Sequence, residues 1–316
     1  MSRANGGNSI LVAGFEDTYN AVPASPKGVS MPFISSNLKA SQNMTASKVI
    51  RGDRNPTPPI LGNKNVSGTI VVPVDVTGIG YWLKAAFGAP KTTNTGESGP
   101  YTHKFTIGQT MPSLFIDQGY KDINVYEQFT GVRISKLSMD FGGDGELTAS
   151  LDVMGCKENL QDSPTVSNPT EIQITEFGNF QASVQEGGQN IAICTAIDVE
   201  VDFGLDGDSY PIGAKGYRTD IDPGLVSVSG NLTAMFTDKA LLEKAVNNTE
   251  SSIVIKIVNG QNQLIFSIPE VQYSLTSPGI DGPSGIDVKL PFQGYYTDNT
   301  DKSAFIATLI NNQATY

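Results

Sequence analysis

Apolar and polar positions alternate in a β-like rhythm over most of the chain, and the same order of elements runs through it twice. Around Ser67-Gly68 the stretch SGTIVVPV reads as a strand and leads into YWLKAAF, Tyr81 to Phe87. There Leu83, Ala86 and Phe87 share a helical face, and Gly88 supplies a stop. Around Ser229-Gly230 the stretch SGNLTAMF leads into DKALLEKAV, Asp238 to Val246. Leu241, Leu242, Ala245 and Val246 give that helix its apolar face, Asp238 favours its positive end, and Asn247-Asn248 can close it. Alternating stretches follow each helix: SLFIDQG, TGVRISKLSMDF and GELTASLDVMG in the first half, SIVIKIVNG, QLIFSIPEVQYSL and GIDVKLPFQG in the second. Within TGVRISKLSMDF the apolar phase slips once at Lys136-Leu137, which predicts a bulge, and GGDG (Gly142 to Gly145) predicts a hairpin.

Breaks in this rhythm divide the chain. Residues 1–160 hold an N-terminal arm and a first β unit, 161–175 a polar, proline-bearing linker, and 176–316 a second β unit. Residues 89–111 have no counterpart after the second helix and read as an insertion in the first copy. Residues 1 to about 60 read as extended and loop-rich, and IRGDRNPTPP (Ile50 to Pro59) cannot be helical. Its Arg51-Gly52-Asp53 triplet is read as a chance occurrence.

Composition narrows the class. Hydrophobic residues make up 39% and charged residues 17%, with Gly 33 and Pro 18, a mixture that suits a turn-rich all-β protein. No apolar run approaches the roughly 20 residues that span a bilayer. The N-terminus, with one Arg and a short apolar stub, is a poor secretory signal, so a cytosolic origin is expected. The net charge of −11 excludes a protein that grips nucleic acid, because such affinity comes from Lys and Arg neutralising phosphates. Cys156 and Cys194 lack metal-site spacing and are expected to be reduced thiols.

Chemistry is sparse. His103 is the only histidine and is expected in a solvent-exposed loop, with no second histidine for a metal and no triad around it. There is no phosphate-binding glycine loop and no CxxC. Asp140 with Asp144, and Asp206 with Asp208, could ligate calcium in oxygen-rich turns but lack the twelve-residue spacing of a calcium-binding hand, so they read as solvated turn acids. Trp82 reads as a packing anchor for its helix. No catalytic site, cofactor or metal is expected.

A resemblance extends over most of the chain. EDTYNAVP (Glu16 to Pro23), MPFISSNLKAS, IRGDRNP, NVSGTIVVPV with YWLKAAFG, YTHKFTIGQTMPSLFIDQGY, and the region from NNTESSIVIKIVNG to PGIDGPSGIDVKLPF together resemble the phage tail tube proteins, of the larger two-copy type. The closing PFQGYYTDNTDKSAFIATLIN is similar to the family's last strand and tail. The resemblance implies a mainly β fold of two tandem β-sandwich or split-barrel units, each with one short helix. It implies a structural virion protein of the tail, assembled in the host cytoplasm, whose stacked rings form the tube that delivers the genome. Two units per chain imply three chains per ring with pseudo-sixfold symmetry.

The partners so implied are the chain itself, the tape measure, terminator and distal tail proteins, a sheath if the tail contracts, and double-stranded DNA in transit, with no membrane. Asp140, Glu146 and Asp152 in the first unit, and Asp287 in the second, are the candidate acids facing the lumen. Residues 1–40 and the long polar loops are the expected ring-stacking connectors, ordering on assembly, so that deleting residues 1–13 would affect stacking more than folding. The competing readings are a carbohydrate- or receptor-binding β-sandwich, and another virion component such as a capsid decoration or tail-terminator protein.

Overall fold

The computed structural model describes residues 3–94, 96, 99–280 and 282–316. In chain order its elements are β1 (Ser9–Phe15), β2 (Val29–Ser30), β3 (Ser35–Ser36), β4 (Lys39–Thr45), β5 (Ile60–Pro73), α1 (Gly78–Phe87), β6 (Lys91–Asn94) and β7 (Tyr101–Thr106). Next come β8 (Leu114–Tyr120), β9 (Val125–Phe141), β10 (Thr148–Gly155), β11 (Lys157–Gln161), β12 (Thr170–Glu171), β13 (Ala182–Glu186) and β14 (Gln189–Asn190). The chain closes with β15 (Cys194–Asp202), β16 (Ser227–Met235), α2 (Ala240–Val246), β17 (Ser251–Asn259), β18 (Asn262–Tyr273), β19 (Asp287–Tyr295) and β20 (Ile306–Asn311). The fold is mainly β, as the alternation predicts.

The large sheet runs β4-β5-β10-β9-β15-β16-β19-β18-β17-β13, all neighbours antiparallel. A branch of β20, β7 and β6 joins it along the first half of β18. A smaller sheet, β12-β2-β1-β8-β9-β11, shares the long strand β9, which bends from one sheet into the other. The bend coincides with the phase slip at Lys136: the register of β10 on β9 shifts between Asp152 and Val153. Gly142, Gly143 and Gly145 all have positive φ, so GGDG makes the turn from β9 to β10 that side chains would resist.

The two halves repeat in register as well as in order. In the first, β5, β10, β9 and β8 lie side by side; in the second, β16, β19, β18 and β17. Ser67 faces Met154 as Ser229 faces Gln293, and Arg133 faces Met154 as Gln272 faces Gln293. The bulge between Leu114 and Ile116 opposite β9 recurs between Ser251 and Ile253 opposite β18. Asn37 accepts the Thr69 N–H at 2.6 Å, and Asp198 in the matching place accepts the Asn231 N–H at 3.1 Å. Both glycines of the Ser-Gly pairs are tightly enclosed: a Cβ on Gly68 would lie 2.7 Å from the Asn37 carbonyl, and one on Gly230 2.1 Å from that of Asp198.

The halves also interlock. β9 pairs with β15 across the middle of the large sheet, and β7, inside residues 89–111, pairs with β20 near the C-terminus. One cluster of buried apolar residues draws on both halves. Phe87 at the end of α1 stacks on Phe305 (5.5 Å) and meets Phe203 edge-on (5.3 Å). Within 161–175, β12 pairs with β2, Val166 is buried, and the Thr165 N–H donates to Asp117 at 2.6 Å.

Two sequence expectations need correction. The N-terminal stretch is not a loose connector: β1 pairs along its length with β8, and Leu11 and Val12 are buried. Deleting residues 1–13 would remove most of β1 and so strike the fold before any stacking. His103 is fully buried rather than exposed, because β7 is covered by β20 and the C-terminal segment. Its Nδ1 meets the Thr92 hydroxyl at 2.9 Å and its Nε2 the Gln313 carbonyl at 2.8 Å.

An acidic sheet face as the candidate functional site

Alternation gives the large sheet two faces. On β9, Leu137, Met139 and Phe141 turn into the core, so Lys136, Ser138 and Asp140 turn out. On β10, Leu151 and Val153 turn in and Ser150 and Asp152 out; on β15, Val199 and Val201 turn in and Asp198, Glu200 and Asp202 out. The outward face of β16 carries Ser229, Asn231 and Thr233, and that of β19 Asp287, Lys289 and Gln293. The result is a hydroxyl- and amide-rich surface on which carboxylates outnumber lysines.

Three of the four expected acids belong to this face. Asp140 is exposed near the end of β9, Asp152 accepts the Thr69 hydroxyl at 2.6 Å, and Asp287 is exposed at the start of β19 opposite Met235. Glu146 lies outside the strands, exposed in the segment before β10 and bridged to Gly178. The acidic cluster DVEVDFGLDGD, Asp198 to Asp208, reads from sequence as a solubilising run and supplies none of the expected lumen acids, although DVEVDF alternates acid with apolar residue and so announces an acidic outer row.

The charges are organised around the contact of β9 with β15. Lys136 Nζ lies 2.9 Å from Glu200 and 3.9 Å from Asp202, and its hydrogen bond to Glu200 raises its pKa. Asp140 stands directly opposite Asp198, two like charges face to face at the seam. The Asp198 carboxylate is held by the backbone and side-chain amides of Asn231 at 3.1 and 3.0 Å.

Other polar groups are buried away from this face. Glu16 accepts from the Gly131 N–H, the Asn20 N–H and the Ser113 hydroxyl, with burial pushing its carboxyl upward. Asp117 is raised by burial too, and Asp75 likewise while accepting the Thr77 and Gly78 N–H groups before α1. Cys156 is buried against the Tyr19 hydroxyl at 3.1 Å, and Cys194 is half-buried; both are free thiols. A cavity of about 220 Å³ bordered by Met31, Tyr81 and Trp82 is walled mainly by apolar side chains. Among the described residues no three His, Cys, Asp or Glu side chains gather into a metal-sized group.

One hairpin projects from the sheet. The far end of β4, the start of β5 and the 46–59 loop between them are exposed, with Met44, Val49, Ile50, Ile60 and Leu61 open to solvent. Arg51 and Asp53 of the Arg-Gly-Asp triplet pair with each other there at 2.9 Å. No described helix is long and apolar enough to cross a membrane.

A comparison with curated proteins found no match. A family model described as phage tail tube protein matches residues 6–294, and the chain belongs to that family of structural virion tail components.

Proposed function

We propose that this chain carries two tail-tube units, and that three chains close a pseudo-sixfold ring. In this reading the rings stack into the hollow tail tube through which the phage genome leaves. The observation that supports two units most strongly is the shared register, which extends to the same bulge and the same side-chain cap beside each Ser-Gly pair. Head-to-tail contacts close only at a fixed number of units, so two units per chain reduce a ring of six to three chains.

The acidic face lines the lumen in this proposal. Duplex DNA carries one negative charge per about 1.7 Å of axis, so a net-negative lining repels it enough for it to slide. The exposed 46–59 hairpin takes the stacking role in place of the N-terminal stretch. The chain's partners are then its own copies, the tape measure, terminator and distal tail proteins, a sheath if the tail contracts, and DNA in passage, with assembly in the host cytoplasm.

Electron microscopy of the purified protein at high concentration tests the reading. Hollow tubes with three chains per ring are expected. Six chains per ring would keep the tube and remove the two-unit account, whereas monomers alone, even with the tail's initiating components, would remove both. Changing Asp140 and Asp287 to Lys together should leave tubes intact and lower infectivity; unchanged infectivity would remove these acids from the lumen.

A further inference from the structure

The two equivalent strands β9 and β18 differ at one end. β9 continues to Phe141, where β15 of the other half pairs with residues 136–141. β18 stops at Tyr273, and the residues that would match 136–141, Leu275 to Ile280, run on unpaired and largely exposed. Ile280 stands where Phe141 would, yet it is 81% exposed while Phe141 is buried. The strand equivalent to β15 is β4 with the residues just before it, since Lys39 faces Ser67 as Glu200 faces Ser229. β4 has β5 on one side and no strand on the other among the described residues.

We infer that residues 275–280 of one chain extend β18 by pairing antiparallel with residues 36–41 of a second copy, in the register of the β9–β15 seam. This rests on the tube reading and adds its residue-level contact. Transferring the internal register sets Ile280 opposite Ser36, Gly279 opposite Asn37, Pro278 opposite Leu38, Ser277 opposite Lys39, Thr276 opposite Ala40 and Leu275 opposite Ser41.

The free chain guards both edges. The carboxylate of Glu158 on β11 lies beside the Ala40 N–H, in a position the incoming strand would take. Phe305, which takes the place of Glu158 in the second half, lies beneath the internal seam with Leu137 and Val201. Pro278 offers no N–H, which costs the new ladder one bond and makes 275–280 a poor template for unrelated strands. Lys39 adds a charge on the other edge.

Hydrogen exchange on the wild-type chain, free and assembled, tests this without any substitution. Within 36–41 and 275–280, the amides not already bonded to β5 should slow by about tenfold or more on assembly, towards the behaviour of 136–141. Tubes in which both segments exchange as fast as in the free chain would overturn the pairing and leave the tube standing. A chain that forms neither rings nor tubes would overturn the tube reading and the pairing with it. For register, Lys39→Cys with Ser277→Cys should give oxidised tubes that run on denaturing gels as a ladder ending at a closed covalent ring, with monomers from each single variant. Cross-linking of Lys39→Cys to Leu275→Cys but not to Ser277→Cys would overturn the stated register.

Discussion

Two loops occupy equivalent places, one in each half, and they behave in opposite ways. Both leave a hairpin at the same rung: Thr45 faces Ile60 in the first, and Asp206 bridges Asp222 in the second. The first loop, 46–59, stands in solvent. The second, 207–221, folds back on the opposite half through Arg218, which is 5% exposed. Its guanidinium donates to the Gly155 carbonyl at 3.0 Å, the Val66 carbonyl at 3.4 Å, Asn65 at 2.7 Å and Tyr210 at 3.1 Å. Nearby, Arg133 donates to the Ile221 carbonyl, and Ile221 is buried. The sheet register sets where each loop leaves; buried partners such as Arg218 and Ile221 hold the second one against the sheet.

The helices differ in the same manner. α1 buries Ile79, Trp82, Leu83, Ala85, Ala86 and Phe87. α2 buries only Leu241 and Ala245 and is pinned by Lys244, 2.6 Å from the buried carboxylate of Glu186.

The sharpest way to break the helix comparison is Trp82→Ala, expected to cost about 4 kcal/mol in denaturant unfolding, whereas Val246→Ala on exposed α2 should stay within about 0.5 kcal/mol. Similar losses at both sites would mean the helices contribute alike. Next in size, Arg218→Ala leaves buried carbonyls unpaired and should cost about 3 kcal/mol while opening 207–221 to limited proteolysis. The counterpart change, Arg51→Ala on the bare loop, should not alter the free chain by more than about 0.5 kcal/mol. Equal effects of the two arginine changes would dissolve the contrast between the loops.

The smallest expected effect concerns the strand pair that only the first half supplies through residues 89–111. Burial lowers the pKa of His103, so the folded chain holds it neutral where the unfolded chain takes up a proton. Its contribution to stability is complete above the unfolded value near 6.5 and is lost as pH falls from there towards the folded value. Glu16, Asp75 and Asp117, raised by burial, act in the opposite sense: stability is lost as pH rises from the usual carboxylate range towards their folded values. The histidine part is isolated by difference: relative to His103→Gln, the wild-type melting temperature should drop by about 2 °C more between pH 7.5 and 5.5. Parallel pH profiles would show that His103 does not titrate between the two states.

Much of this was legible in the sequence because it is local. The helices start and stop within a few residues of where Gly88, Asp238 and Asn247 place them, and Asp238 does accept the Ala240 N–H at 2.8 Å. The acids at 140, 152 and 287 could be placed by counting alternate positions. What stayed hidden depends on distant partners. His103 is buried by a segment some 210 residues away, and Arg218 reaches Gly155 and Val66 across the halves. A lone Arg in a polar loop reads like any solvated one until its carbonyl partners are known. ILVAGF in β1 was apolar enough to be seen, but its partner β8 lies about a hundred residues on.

The β9–β15 seam lies within a single chain. Tethering holds the two halves at an effective concentration in the millimolar range, independent of how much protein the cell has made. On the proposed ring, every second contact would then be complete as soon as a chain folds. Ring nucleation would follow about the third power of concentration rather than the sixth. A tail could begin to grow while its subunits are still scarce.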